Sequence, residues 1–242
     1  MKLYGLIGYP LSHSFSKKYF DEKFLKDGIS DASFQNFSIE NISLLHDVLA
    51  NKNLCGLAIT IPYKKAVIDF LYNSTDAVKQ MGACNCIKIK DGKLLGYNTD
   101  VIGFEKSFIK QLKPHHSKAL ILGTGGAAAA VEFVLQKLKI GYEFVSRRKA
   151  GTQFVYSELN ENILNNYSII INASPIGTYP DVNEAPAIPY QFINSQHYLF
   201  DLVYNPAETK FLQFAKQNNA TIQNGYEMLE LQAEENWKIW HE

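Results

Sequence analysis

A lysine and an aspartate are the residues whose placement best suits proton chemistry. Lys64 follows Pro62 at the end of an apolar run, where the side chains of an open sheet line its crevice. Asp100 closes the run Gly96-Tyr97-Asn98-Thr99-Asp100 and starts a helical pattern. An ammonium and a carboxylate so placed make an acid/base pair. Spacing alone leaves ordinary roles open for both: a solvated surface lysine, and a helix N-cap, the commoner use of such an aspartate.

A second group suits phosphate. In Leu122-Gly123-Thr124-Gly125-Gly126-Ala127-Ala128, residues Gly123, Gly125 and Ala128 fit G-x-G-x-x-A. Gly123 permits a tight turn, Gly125 lets a pyrophosphate approach the backbone, and Ala128 lets the following helix pack close to its strand. The N–H groups and dipole at the helix start favour negative charge. An ordinary βα turn is the alternative. The next strand runs into Ser146-Arg147-Arg148-Lys149, with no carboxylate to accept from a ribose 2′-hydroxyl. Arginines fork onto phosphate, so this tip favours NADP(H) over NAD. A solvated basic tip is the alternative here.

The elements that must position these groups read as α/β. The chain has 242 residues, 46% of them apolar, enough for one large or two modest domains. Leu3–Gly8, 34–39 and 54–61 read as strands, with helices over 19–25, 42–49 and 64–71. Residues 86–97 alternate around Asp91-Gly92, the pair a type I′ hairpin prefers. A helix follows Asp100, and Lys113-Pro114-His115-His116-Ser117 marks a boundary. From residue 119 strands at 119–122, 142–145, 168–172, 197–203 and 221–223 alternate with helices, including one at 207–217, which implies a parallel sheet covered by helices. The last helix, 226–240, carries Leu229, Ala233 and Trp237 on one face. The proline-bearing stretch 177–189 reads either as a mobile loop over a site or as a plain surface loop.

Composition narrows the partners. Lys+Arg and Asp+Glu number 24 each, which argues against nucleic acid or an anionic membrane as the main target. No apolar run has the length of a membrane span, and Met1-Lys2-Leu3 enters a strand with no room for a signal peptide. Cys55, Cys84 and Cys86 are odd in number with no histidine cluster nearby, so neither a zinc site nor a disulfide framework is expected, and reduced thiols fit the cytoplasm.

Several segments in order resemble the shikimate dehydrogenase family. They are Gly8-Tyr9-Pro10-Leu11-Ser12-His13-Ser14-Phe15-Ser16, Thr60-Ile61-Pro62-Tyr63-Lys64, Gly82-Ala83-Cys84-Asn85-Cys86, Gly96-Tyr97-Asn98-Thr99-Asp100, the Gly123 turn with Ser146-Arg147-Arg148, Asn172-Ala173-Ser174-Pro175-Ile176-Gly177, Asp201-Leu202-Val203-Tyr204-Asn205-Pro206 and Asn224-Gly225-Tyr226-Glu227-Met228-Leu229-Glu230-Leu231-Gln232. Each motif is weak alone; their joint order spans nearly the whole chain.

The resemblance implies two domains. An α/β substrate-binding and catalytic domain would take 1–100, with 225–242 returning to it, and a Rossmann-type NADP-binding domain would take 101–224. It implies NADPH-dependent reduction of 3-dehydroshikimate to shikimate, in aromatic amino-acid biosynthesis. Lys64 matches the catalytic lysine and Asp100 its paired carboxylate. Ser14, Ser16, Thr60, Asn85, Tyr204 and Gln232 match substrate-holding groups. Gly123, Gly125, Gly126 and Ala127 match the pyrophosphate cradle. Ser146, Arg147 and Arg148 match the 2′-phosphate side, and Gly225 lies near the nicotinamide. No metal is implied, and a homodimer is left open. Three residues depart from the pattern: Ala58 where asparagine is usual, Cys84 for an aliphatic residue and Cys86 for threonine. Exposed thiols at such positions would make the site oxidation-sensitive. An NAD-dependent quinate/shikimate dehydrogenase and a non-catalytic ligand-binding relative are the alternatives. Arg147-Arg148 speaks against the first; the retained Lys64 and Asp100 speak against the second.

Overall fold

The computed structural model describes residues 1–11, 14–149, 151 and 153–242. By contacts the chain divides into two units, Met1–Thr99 with Gln232–Glu242, and Asp100–Leu231.

The first unit carries β1 (Lys2–Gly8), α1 (Phe15–Lys26), β2 (Ala32–Ser38), α2 (Leu45–Leu49), β3 (Leu54–Ile59), β4 (Asn73–Ser74), α3 (Asp76–Met81), β5 (Cys86–Lys90) and β6 (Lys93–Tyr97). Its sheet has the order β2-β1-β3-β5-β6-β4. Strands β1, β2 and β3 are parallel, and β5 runs antiparallel to both β3 and β6. Residues Leu3 to Gly8 are all buried, the pattern of a strand covered on both faces. The hairpin between β5 and β6 turns through Asp91 (φ 52°) and Gly92 (φ 72°), both left-handed as a type I′ turn requires.

The second unit carries α4 (Asp100–Phe108), β7 (Lys118–Leu122), α5 (Gly126–Lys137), β8 (Gly141–Ser146), β9 (Phe154–Val155), α6 (Glu161–Asn166), β10 (Ile169–Asn172), β11 (Tyr198–Asp201), α7 (Lys210–Gln217), β12 (Thr221–Gln223) and the start of α8 (Tyr226–His241). All its strand pairs are parallel, in the order β12-β11-β10-β7-β8-β9. The chain starts at β7, winds outward through β8 and β9, then returns to β10 on the other side. That doubly wound order puts a switch point between β7 and β10, where ligands of such sheets bind.

The last turns of α8 belong to the first unit. Trp240 stacks on Tyr4 with ring centroids 4.9 Å apart, and its Nε1 donates to the Ile87 carbonyl at 3.0 Å. Ala233, Ile239 and Trp240 join Phe20, Phe24, Phe34, Ala58 and Cys86 in one buried cluster.

Three elements differ from the sequence expectation. Residues 64–71 do not form an α-helix: Lys64 stands in a turn, and a 3-10 segment covers Ala66–Phe70. The Lys64 carbonyl accepts from Cys84 N at 2.7 Å, which takes it out of any helical ladder. The third strand stops at Ile59 because Thr60 turns, its carbonyl accepting from Tyr63 N at 2.9 Å. The helix expected from residue 207 starts at Lys210, because Thr209 caps it by accepting from Leu212 N. Helices α3 and α6, six residues each, were not anticipated; so short a helix barely shows its period.

Candidate active site

In the first unit the candidate residues gather beyond the C-terminal ends of β1 and β3. Ser14 caps α1, its Oγ accepting from Lys17 N at 3.4 Å, and Ser16 lies half-buried in the first turn. Ser12 and His13 of the same motif lie outside the described residues. Thr60 is half-buried just past β3, with its N–H donating to the Ile7 carbonyl at 2.8 Å. Lys64 is half-buried four residues later.

Asn85 is 3% exposed and locked at both ends. Its carbonyl accepts from Ile59 N at 2.8 Å, and its own N–H donates to Tyr97 O at 3.1 Å. Its side-chain oxygen accepts from Thr99 N at 2.6 Å, and its amide nitrogen donates to Thr99 Oγ1 at 3.1 Å. The Thr99 hydroxyl lies 2.7 Å from Asn236 Oδ1, and Asn236 Nδ2 lies 3.4 Å from Gln232 Oε1. Asn85 and Gln232 are thus members of one buried chain of hydrogen bonds. Thr99 and Asn236 were missed in the sequence; the readable signal was an asparagine among Ala233, Trp237 and Trp240 on an apolar helix face. Asp100 follows Thr99 directly and begins α4, where a carboxylate suits the helix dipole.

In the second unit the glycine turn sits at the switch point. Gly123 has φ 105°, a left-handed conformation, and a Cβ there would lie 3.3 Å from Ser174 at the end of β10. Gly125 takes the N-cap position of α5 and brings no side chain to its first N–H groups. A Cβ on Gly125 or Gly126 would meet nothing within 4 Å, so the space before the helix is open. A cleft of about 300 Å³ lies there, lined by the turn, Ser146, Arg147, Tyr156 and residues 173–176. A wider space of about 700 Å³ is lined by Thr124, Ser146, Arg147, Arg148 and Gln153. Among the described residues no carboxylate lines either. Bare helix donors, an open front and two guanidinium groups suit a dinucleotide with an extra phosphate. Lys149, grouped with these cations in the sequence, instead pairs with Glu158. Ser146 donates its hydroxyl to the Arg148 carbonyl and so shapes the tip.

The ends of β10 and β11 are braced by a buried carboxylate. Asp201 accepts from Asn172 Nδ2 (2.9 Å), Val203 N (3.0 Å) and the Thr209 hydroxyl (2.5 Å). Asn172 Oδ1 in turn accepts from Ser174 Oγ at 2.6 Å. Burial pushes the Asp201 carboxyl up to about 6, and its three donors only partly offset this. The raised value favours the protonated native state. Between about pH 4 and 6 the unfolded chain loses this proton while the native chain keeps it, so the group's contribution falls as pH rises through that window. We expect Asp201→Asn to lack this component, so urea midpoints of wild type should drop relative to the variant across that interval. A constant difference over the same interval would mean an unshifted carboxyl.

Tyr204 lies beyond β11 at 36% exposure, with its phenol raised by burial. Gly225 is buried before α8, and a Cβ there would collide with the Leu202 carbonyl. Among the described residues no cluster of His, Cys, Asp or Glu could hold a metal, and no helix is long and apolar enough to cross a membrane.

Residues 6–87 match the family model described as the shikimate dehydrogenase substrate binding domain. The NADP(+) shikimate dehydrogenase of Clostridium beijerinckii is 36% identical over 100% of this chain and 93% of its own. The chain belongs to the shikimate dehydrogenase family. The solved enzyme of Aquifex aeolicus has a TM-score of 0.86 at 31% identity, covering 99% of this chain and 92% of that one. The shikimate dehydrogenase of Thermus thermophilus, solved with NADP(H) and shikimate, has a TM-score of 0.87 at 25% identity, covering 99% and 93%.

The shikimate dehydrogenase substrate-domain match includes Ser14, Ser16, Thr60, Lys64 and Asn85. The three departures from the family pattern all lie inside the protein. Ala58 is buried at 5% exposure, and Cys84 and Cys86 at 0%. The expectation of exposed, oxidation-sensitive thiols is therefore corrected. Cys84 donates to the Cys86 carbonyl at 3.3 Å, and Cys86 packs in the cluster under Trp240, where burial pushes its thiol well up.

Proposed function

We propose that this chain catalyses the reversible, NADPH-dependent reduction of 3-dehydroshikimate to shikimate, a step of aromatic amino-acid biosynthesis. The observation that carries the reading is the whole-chain relation to NADP(+) shikimate dehydrogenases. The carboxylate-free cleft lined by Ser146 and Arg147 supports it. In this reading the first unit carries Lys64 and most of the substrate-holding residues, and the second carries the dinucleotide cradle together with Asp100 and Tyr204.

NADPH, when bound, supplies the hydride. The Lys64 ammonium stabilises the negative charge that grows on the substrate's ketone oxygen and gives that oxygen its proton. Asp100 accepts from a ring hydroxyl. Ser14 still has its hydroxyl hydrogen to donate while its oxygen caps α1. With Ser16, Thr60, Asn85, Tyr204 and Gln232 it holds the hydroxyls and carboxylate, a neutral set suited to a small polyol acid. Gly123, Gly125, Gly126 and Ala127 offer backbone to a pyrophosphate, and Gly225 lies near the nicotinamide. Ser146, Arg147 and Arg148 hold the 2′-phosphate. The reading also takes the cytoplasm as the compartment and involves neither nucleic acid nor membrane. A homodimer is the assembly to check by light scattering.

The test is the loss of reduced-nicotinamide absorbance with 3-dehydroshikimate, run in parallel with NADPH and NADH. Turnover is expected with NADPH and far less with NADH. Equal rates with both would sink the assignment of Arg147 and Arg148. No turnover with either, from folded protein, would sink the reaction itself.

A further inference from the structure

The two spaces around the basic tip differ in chemistry, and Tyr156 lines only one of them. The wider one, of about 700 Å³, has a mostly polar wall that includes Arg148 and Gln153. The cleft of about 300 Å³ has a mostly apolar wall, in which Pro175 and Ile176 join Tyr156. Thr124, Ser146 and Arg147 line both, so the two spaces adjoin. Strand register brings Tyr156 there. β8 and β9 are parallel, with Val145 opposite Phe154 and Ser146 opposite Val155. Arg147 and Tyr156 follow directly, at the C-terminal ends of neighbouring strands, where ligands of such sheets bind. The half-buried ring is held from behind, packed against the buried cluster that contains Val145, Leu159 and Ile170. Its backbone is pinned as well: Val155 N donates to Glu158 Oε2 at 2.9 Å, and Glu158 pairs with Lys149 of the tip. Burial raises the phenol and the charge of Arg147 offsets this in part, so the side chain is neutral near neutrality and lies in the guanidinium's field.

We propose that Tyr156 binds the adenine of the dinucleotide on the face of its ring. A dinucleotide with a 2′-phosphate carries two unlike groups on one ribose, a flat apolar base and an anion. The two adjoining spaces offer them unlike walls: aromatic and apolar for the base, polar and cationic for the phosphate. Arg147, common to both, stands where base and phosphate meet. A ring already fixed on the core offers stacking area with little side-chain freedom left to lose. Adenine is common to NADP(H) and NAD(H), so Tyr156 adds affinity for both and preference for neither. The preference stays with Arg147 and Arg148. The proposal rests on the reading of this unit as the carrier of the dinucleotide cradle.

The test is calorimetric binding of NADP(+), NAD(+) and adenosine 2′,5′-bisphosphate to wild type, Tyr156→Ala and Tyr156→Phe. We expect Tyr156→Ala to raise all three Kd values about tenfold, the scale of one stacked base, and to leave the ratio between NADP(+) and NAD(+) within about twofold. Tyr156→Phe keeps the ring and should stay within about twofold of wild type. If Tyr156→Ala does not accumulate as folded protein, Tyr156→Leu gives the same reading: it covers the core but lacks a flat face. Unchanged affinities without the ring overturn the adenine role. So does a loss confined to NADP(+) and the bisphosphate, which would mean a phosphate contact, or a Tyr156→Phe variant as weak as Tyr156→Ala, which would mean the hydroxyl. Each of these leaves the NADPH-dependent reaction in place. A folded wild type that binds none of the three removes the dinucleotide reading and the inference with it.

Discussion

Lys64→Ala should lower kcat by about 10²–10⁴, the range for one lost general acid, and leave the KM for NADPH close to wild type. The expectation rests on where the backbone holds this lysine. Its carbonyl is tied to Cys84 N at 2.7 Å, so its Cα is fixed against the segment that carries Asn85. The side chain is half-buried rather than solvated. An ammonium in such a setting needs no reorganisation to meet charge growing on a ketone oxygen, which is the economy of preorganised electrostatics. Lys64→Arg should recover little, because a guanidinium does not give up a proton near neutrality. Retention of most of the wild-type kcat by Lys64→Ala, at unchanged melting temperature, would remove Lys64 from the chemistry.

The second large effect concerns the dinucleotide. Arg147→Ala with Arg148→Ala should raise the KM for NADPH by about 10²-fold and leave the weak reaction with NADH almost unchanged. One charge-assisted hydrogen bond contributes about 1.5–3 kcal/mol, roughly ten- to a hundredfold each. Both arginines are exposed, so solvent and salt screen them and the lower end of that range applies. The wild-type KM for NADPH should accordingly rise with ionic strength more steeply than that of the double variant. The contrast between cofactors is the deciding readout. An equal loss with NADH would mean that the tip after β8 had been distorted, not that a 2′-phosphate contact had been removed.

Much of the scaffold was readable locally. Asp91-Gly92 announced a hairpin because only a left-handed pair closes that turn. Gly123 announced the βα turn for a related reason, and the apolar runs at β7, β10 and β11 announced strands covered on both faces. The roles of Lys64, Asp100 and the substrate set did not come from spacing, which favoured a surface lysine and a helix cap. They came from the ordered family motifs. Residues 64–71 misled because their apolar pattern is helical, while the carbonyl of Lys64 is claimed by Cys84, twenty positions away.

The sequence by itself therefore determined the alternating α/β order, the nucleotide turn, the basic tip and the family, because each depends on near neighbours or on motif order along the chain. Only the tertiary structure decided that Cys84 and Cys86 are shielded, that Asp201 is a buried brace behind the turn, and that Asn236 joins Gln232 to Thr99 and Asn85. Burial and hydrogen-bond partnership arise between residues as far apart as Thr99 and Asn236, and no local pattern records which distant groups the fold will bring together.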